Sequence, residues 1–249
     1  MKIGILGAME EEVKSIKSKM ENVVIKTIAN RNYYTGKLYG SDITLAFSRW
    51  GKVAASSTAT SLINVFGAEL VVFTGVAGAV AKELNIGDIV IGNGLYQHDM
   101  DARPIFPRHQ IPLTDSKIFK PNSTYVKKAK QATDKFINNI ECSITAYALS
   151  KFSILKPKAY YGIIASGDQF ISDVNKHDGL QLKGEKVMAV EMEGAAVAQV
   201  CHEHYVPYVI IRTISDKANK TAEIDFQSFV SEVATHYSEG ILKEFLTMP

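Results

Sequence analysis

Short apolar runs alternate with helix-forming segments along this chain, and that alternation limits its fold more than any other feature of the sequence. Strand-like runs occupy residues 2–6, 23–28, 33–38, 43–47, 70–73, 89–91, 160–166, 187–191 and 208–214. Helical patterns occupy residues 10–20, 52–66, 124–139, 193–204 and 226–246. No repeat or linker interrupts the series. We therefore predict one α/β domain over residues 1–249, built on a mixed β-sheet.

Composition and charge exclude several classes of protein. The 249 residues include 28 Lys and Arg and 26 Asp and Glu, so no overall field favours nucleic acid or an anionic membrane. The N-terminal apolar run ends in three glutamates rather than a cleavage site, and no apolar run approaches the roughly 20 residues that span a bilayer. Cys142 and Cys201 form no CxxC pair. We expect a cytoplasmic protein without a disulfide framework.

Carboxylates follow three of the predicted strands. Glu12 comes after the first strand, and Glu193 and Asp216 come after the last two. A fourth strand leads to the glycine-rich segment Thr74-Gly75-Val76-Ala77-Gly78, where a ligand could approach the backbone closely. Ligands of α/β sheets bind beyond the carboxyl ends of strands. Each acid alone is more simply explained as a capping or dipole-complementing residue. Together in one cleft they would repel, which indicates a ligand or a catalytic task.

Several familiar sites are absent from the sequence. Gly4-Ile5-Leu6-Gly7 has GxxG spacing, and glutamates follow it where a pyrophosphate would need bare amides, so a dinucleotide site is excluded. No GxxxxGK[ST] motif occurs. His98-Asp99 with Asp101 is better explained as a hydrogen-bonded turn than as a metal site. His202 and His204 would point in different directions from their helix, so we do not expect them to bind one metal ion together.

Five segments in register resemble one known family, 5′-methylthioadenosine/S-adenosylhomocysteine nucleosidase. The segments are Gly4-Ile5-Leu6-Gly7-Ala8-Met9-Glu10-Glu11-Glu12, Thr74-Gly75-Val76-Ala77-Gly78, Ser166-Gly167-Asp168-Gln169-Phe170-Ile171, Val190-Glu191-Met192-Glu193 and Arg212-Thr213-Ile214-Ser215-Asp216. The resemblance implies a nucleoside phosphorylase fold, with a central twisted mixed β-sheet flanked by helices, usually in a homodimer. It also implies hydrolytic release of adenine from methylthioadenosine and S-adenosylhomocysteine without a metal or organic cofactor.

The same resemblance implies a role for each site residue. Asp216 would be the general acid that protonates adenine N7, with Ser215 as its hydrogen-bonding partner. Glu12 would activate water, and Glu193 would hold the ribose hydroxyls as the sugar becomes oxocarbenium-like. A general acid needs a raised pKa, which burial near other carboxylates would supply. The other implied substrate-binding residues are Met192 at the sugar, Phe170 and Ile171 at adenine, Met9, Trp50 and Phe226 at the 5′-substituent, and Glu191, Val76, Ala77 and Gly78.

Two stretches depart from the family pattern. Arg49-Trp50 places a cation and an indole where smaller residues are usual. Either Arg49 covers the pocket rim, or it alters 5′-specificity or binds an anion there. The proline-rich loop at 99–117 differs at residues 101–108, although the resemblance implies that residues 102–112 reach the pocket of a partner subunit.

Three alternatives remain at the level of sequence. A purine nucleoside phosphorylase needs a phosphate site, but Phe73-Thr74 stands where bacterial phosphorylases carry an arginine. An aminodeoxyfutalosine nucleosidase would share this fold, and the sequence leaves it open. A non-catalytic adenine-nucleoside sensor would be expected to lack the acid or the base, yet Glu12 and Asp216 are present. Methionine salvage, methyl-cycle clearance and formation of an autoinducer precursor are all compatible pathways.

Overall fold

The computed structural model describes residues 1–173, 178–180, 182–217, 226 and 228–248, and a nine-stranded sheet dominates these ranges. The strands are β1 (Ile3–Gly7), β2 (Glu21–Ile28), β3 (Arg31–Leu38), β4 (Ser41–Phe47), β5 (Leu70–Ala79), β6 (Ile89–Gln97), β7 (Ala159–Ser166), β8 (Val187–Glu191) and β9 (Tyr208–Asp216). The α-helices are α1 (Glu10–Ser18), α2 (Lys52–Asn64), α3 (Ser123–Ile137), α4 (Ala146–Lys151), α5 (Gly194–Glu203) and α6 (Thr235–Thr247). Short 3-10 turns span Ile140–Cys142 and Asp178–Leu180, and a π-helical turn spans Val230–Ala234.

The sheet has an open half and a half that closes on itself. In the open half, β2, β3 and β4 form an antiparallel meander, and β1 pairs in parallel with both β4 and β5. In the other half, β5 pairs in parallel with β9 and then, at Gly78 and Ala79, in antiparallel fashion with β8. β8, β7, β6 and β9 continue in that order. These five strands therefore form a curved wall that closes on itself. The prediction of a mixed central sheet is confirmed.

Helices cover the sheet on two faces because successive strand residues point to opposite sides. Leu70 and Val72 of β5 join a core that includes residues of α1, α3 and α6. Val71 and Phe73, between and beside them, join a second core that includes residues of α2 and α5. The predicted flanking helices are thus confirmed. No helix in the described part of the chain combines the length and the apolar composition that crossing a bilayer requires.

Several predicted element boundaries are wrong. The segment from Thr74 to Gly78 lies inside β5, and Ser215-Asp216 lies inside β9, whereas both were expected to follow their strands. Hydrogen bonding between the two strands keeps both segments extended, with an irregularity between Ala77 and Gly78. β6 likewise runs beyond the predicted residue 91, and α4 was not predicted. Of the helix predicted at 226–246, residue 227 lies outside the described residues, and the π-turn interrupts the remainder.

Candidate active site

The predicted site residues converge on one cavity at the end of the curved wall. Its volume is about 380 Å³. Every predicted site residue except Glu12 lies on its wall. The lining residues are Ala8, Met9, Trp50, Val76, Ala77, Gly78, Gln169, Phe170, Ile171, Val190, Glu191, Met192, Glu193, Ser215, Asp216 and Phe226. The small residues of β5 form one side, so a flat ligand can lie against the backbone there.

Three aromatic rings stand at the mouth of the cavity. Trp50 meets Phe226 edge to face at 6.5 Å between ring centroids, and Phe170 meets Phe226 in the same way at 5.9 Å. Trp50 and Phe170 are 58% and 49% exposed although both are large and apolar. Exposed aromatic surface that surrounds a cavity marks a ligand-binding site. This geometry suits an aromatic base and an apolar substituent.

A buried ion pair supports the floor of the cavity. The Arg212 side chain is fully buried, and its Nε and Nη2 donate to Oε2 of Glu191 at 3.1 and 2.7 Å. Its guanidinium also lies over the ring of Phe73, 4.0 Å from the ring centroid. No role was predicted for Arg212 from the sequence. An arginine in the middle of an apolar strand is itself the signal, because such a cation must have a buried partner.

Glu191 also determines where helix α5 begins. Its two carboxylate oxygens accept the backbone N–H of Gly194 at 2.9 and 2.8 Å, and Oε2 accepts that of Glu193 at 3.2 Å. The Ser166 hydroxyl donates to Oε1 of Glu191 and accepts the N–H of Ala195 at 2.7 Å. These bonds satisfy the free amides of the helix N-terminus. The dipole-complementing residue is therefore Glu191, and the prediction that the helix begins at Glu193 is one residue early.

Glu193 is buried on the cavity wall, where its carboxylate accepts the backbone N–H of Gly51 at 2.9 Å. Burial, reinforced by the negative charge of Glu191, raises its pKa above the ordinary value. The bond to Gly51 also links this acid to the segment that carries Trp50. A buried carboxyl group has lost its hydrogen bonds to water. Hydroxyl groups of a ligand can replace those bonds, which would stabilise Glu193 in a complex.

Asp216 and Ser215 end β9 beside the backbone of Gly78. Both side chains are buried, and the Ser215 hydroxyl donates to Oδ2 of Asp216 at 2.8 Å. This bond fixes the orientation of the Asp216 carboxyl group on the cavity wall. The predicted pairing of these two residues is therefore present in the structure.

Glu12 lies behind the cavity wall rather than on it. It is fully buried behind Ala8 and Met9, and its Oε2 accepts the backbone N–H of Met9 at 3.0 Å. Its Oε1 accepts the hydroxyl of Ser238 at 2.5 Å. Burial raises the pKa of Glu12, and these hydrogen bonds act in the opposite direction. The structure thus holds Glu12 one layer behind the other acids.

Arg49 lies apart from the cavity wall. Its guanidinium donates to the carbonyl of Asn30 at 2.5 Å, in the turn between β2 and β3. This placement favours the simple explanation, a surface arginine beside the rim, over anion binding in the pocket. The neighbouring Lys52 also lies off the cavity wall, where it forms an ion pair with Asp99 at 2.6 Å.

A polar network that the sequence analysis missed joins α2 to the loop before Phe170. The backbone N–H of Lys52 donates to Asp168 Oδ1 at 2.8 Å, and the N–H of Asp168 donates to Asp99 Oδ2 at 2.9 Å. Asp99 lies in the turn that follows β6, where the Met100 N–H donates to the Gln97 carbonyl at 3.3 Å. Among the described residues, no group of three or more His, Cys, Asp or Glu is arranged to hold a metal ion.

Known proteins resemble this chain over almost its whole length. Residues 2–247 match the model of the phosphorylase superfamily. A 5′-methylthioadenosine/S-adenosylhomocysteine nucleosidase of Anoxybacillus flavithermus is 37% identical, over 96% of this chain and 95% of its own length. The nucleosidase of Bacillus cytotoxicus is also 37% identical, over 98% and 97%. The chain belongs to the 5′-methylthioadenosine/S-adenosylhomocysteine nucleosidase family.

Solved structures agree with membership of this nucleosidase family. The Neisseria meningitidis nucleosidase in complex with methylthio-immucillin-A superposes with a TM-score of 0.82 at 32% identity, over 98% of both chains. The futalosine hydrolase of Helicobacter pylori also gives a TM-score of 0.82 at 32% identity, over 99% of this chain and 97% of its own. The expected nucleoside phosphorylase fold is therefore confirmed.

The raised pKa of Glu193 predicts how stability depends on pH in this nucleosidase. The folded state binds a proton that the unfolded state releases above pH about 4.5, so stability falls as pH rises toward the pKa of the folded state. Glu193→Gln removes this titration. The free energy of unfolding of the variant, minus that of the parent chain, should therefore increase as the pH rises from 5 to 8. The increase should be at most about 1.4 kcal/mol per pH unit. Urea unfolding at several pH values measures the difference.

Glu83→Gln is the matched control for this pH series. Lys186 lowers the pKa of Glu83, which is exposed, so its titration lies below the pH range of the experiment. The stability difference for Glu83→Gln should stay flat between pH 5 and pH 8. A flat difference for Glu193→Gln as well would show that Glu193 is not protonated in the ligand-free protein.

Proposed function

We propose that this chain hydrolyses the N-glycosidic bond of 5′-methylthioadenosine and S-adenosylhomocysteine, and also that of 5′-deoxyadenosine. The products would be adenine and the 5′-substituted ribose. One observation carries the proposal: two buried acids, Asp216 and Glu193, share a cavity wall with the aromatic rings at the mouth, and Glu12 lies directly behind. The family to which the chain belongs supports the same substrates.

The proposed mechanism divides the work among the three acids. Asp216 gives its proton to adenine N7 as the C1′–N9 bond breaks, so the electron pair remains on N9 and adenine leaves as a neutral molecule. Glu12 accepts a proton from water as the water oxygen bonds to C1′. Glu193 releases its proton to solvent as the substrate binds, so that its carboxylate accepts hydrogen bonds from the ribose hydroxyls and stabilises the positive charge that develops on the sugar. Return of the Glu12 proton to solvent and reprotonation of Asp216 complete the cycle.

The charge of the cavity wall supports water rather than phosphate as the nucleophile. The described lining residues include acids but no Lys or Arg. Arg212, which lies behind the floor, is already paired with Glu191. A phosphate dianion would therefore meet carboxylates without a cation to offset them.

Hydrolysis of aminodeoxyfutalosine is a second candidate function. It is favoured by the likeness to the futalosine hydrolase of Helicobacter pylori, which equals the likeness to the Neisseria meningitidis nucleosidase in TM-score and identity. Both candidates use the same acids and the same adenine site. They differ in the group attached to the 5′ carbon, which would lie near Trp50.

A homodimer is the proposed assembly, with residues 102–112 near the pocket of the partner subunit. Ile105 is 81% exposed and Leu113, just after this stretch, is 91% exposed. Burial of such exposed apolar side chains against a partner lowers the free energy, which favours association. The dimer and the position of the loop stay predictions.

An adenine-release assay tests the proposed reaction. With 5′-methylthioadenosine in phosphate-free buffer we expect full turnover, free 5-methylthioribose as the sugar product, and no acceleration when phosphate is added. Aminodeoxyfutalosine, assayed in parallel, should be cleaved with a lower kcat/KM. Release that depends on phosphate would indicate a phosphorylase. Binding of adenine nucleosides without any release would indicate a sensor.

A further inference from the structure

A hydroxyl group from the far end of the chain contacts Glu12. The Oγ of Ser238, on α6, donates to Oε1 of Glu12 at 2.5 Å. Both residues are buried, with 4% of Ser238 and none of Glu12 exposed. Ser238 is not on the cavity wall, so it cannot serve the substrate directly. The Glu12 carboxylate is the acceptor of its hydroxyl hydrogen bond.

The turn before α6 affects which side chain faces Glu12. Residues Val230–Ala234 form a π-helical turn, and α6 begins at the next residue. Each residue of an α-helix turns the chain by about 100°, so one additional residue in a turn rotates the following helix by that amount. π-Helical turns are rare and are often found at functional sites. Here the turn precedes the helix that brings Ser238 to the carboxylate.

We propose that Ser238 is a positioning residue for Glu12. Its hydroxyl fixes one carboxylate oxygen and favours the ionised form, which is the form that accepts a proton from water. A carboxylate has about four acceptor positions, so the hydrogen bonds from Ser238 and from the Met9 N–H leave others with which Glu12 can accept the water proton. The inference rests on the proposed role of Glu12.

The surroundings of Glu12 explain why one hydroxyl matters. Burial favours the protonated form and raises the pKa, while the Ser238 bond is the largest influence that lowers it, ahead of the Met9 N–H and the charge of Arg212 on β9. The other acids on elements packed against α1 have partners of their own. They are Glu239 of α6 with Ser15 and Lys19, Glu244 of α6 with Lys135, Glu232 of the π-turn with Lys151, and Asp42 of β4 with Lys37.

Ser238→Ala tests the proposal through the pH dependence of kcat. Loss of a hydrogen bond to a charged group should move the acidic inflection of kcat upward by about one pH unit, which lowers kcat by up to about tenfold at pH values below the inflection. KM should stay within about twofold of the parent value, because Ser238 does not touch the substrate. Ser238→Thr keeps the hydroxyl and should keep the parent inflection. Ser238→Cys keeps the volume with a weak donor and should shift it as Ala does.

Ser15→Ala is the matched control. It removes another serine–carboxylate bond between α1 and α6, from Ser15 Oγ to Glu239 Oε2 at 2.7 Å, without touching Glu12. Its inflection should be unchanged. If Ser238→Ala or, should that variant fail to fold, Ser238→Cys keeps the parent inflection, the proposal is overturned. Glu12→Gln distinguishes failure of the Ser238 proposal from failure of the proposed role of Glu12. Parental turnover in that variant would refute the role of Glu12 itself.

Discussion

Asp216→Asn should lower kcat for adenine release by about 10²- to 10⁴-fold, the usual contribution of a general acid. The amide cannot give a proton to N7, so adenine must leave as an anion. Binding should change much less, by about tenfold at most, because the Asn side chain still offers an N–H donor to the base. Initial rates with 5′-methylthioadenosine give kcat, and equilibrium titration of adenine gives the binding constant.

The control for this substitution makes the same chemical change outside the cavity. Asp134, on α3, pairs with Lys130 at 2.6 Å and is partly exposed to solvent. Asp134→Asn should leave kcat within about twofold of the parent value, since surface ion pairs contribute little. If Asp216→Asn keeps more than a tenth of the parental kcat, another group must protonate the base.

Much of this site was predictable because its residues are close in sequence to strands that the apolar pattern identifies. β8 was predicted with its observed bounds; Glu191 is its last residue, and Met192 and Glu193 follow it directly. The roles given to Glu12, Glu193 and Asp216 came from the register of motifs rather than from physical reasoning. The residues alone indicated only a suspicious group of acids. Those roles, and the single domain over residues 1–249, stay predictions.

The features that were missed depend on contacts between distant residues. β5 and β9 run longer than predicted because each supplies the other with hydrogen bonds, which local propensity does not encode. Arg212 and Glu191 are 21 positions apart, and Ser238 and Glu12 are 226 positions apart. A serine in an amphipathic helix has no local signature that distinguishes a positioning residue from a surface one. Only packing of α6 on α1 reveals the pair.

Arg212→Met should be the most destabilising single change in the site. The substitution fills a similar apolar volume, but it leaves the buried Glu191 carboxylate without its cation. Breaking a buried ion pair in this way costs about 3–5 kcal/mol, which is a large part of the stability of an ordinary domain. Denaturant unfolding at neutral pH should show a corresponding fall in the free energy of unfolding.

Two further variants show whether the lost stability comes from the unpaired charge. Adding Glu191→Gln to Arg212→Met removes that charge while keeping a side chain that can cap α5, so the double variant should recover more than half of the loss. Lys130→Met breaks a more exposed pair and should change the free energy of unfolding by about 1 kcal/mol at most. If the double variant is no more stable than Arg212→Met, the arginine acts through its packing on Phe73 and its bonds to the backbone carbonyls of Phe73 and Ile211 instead.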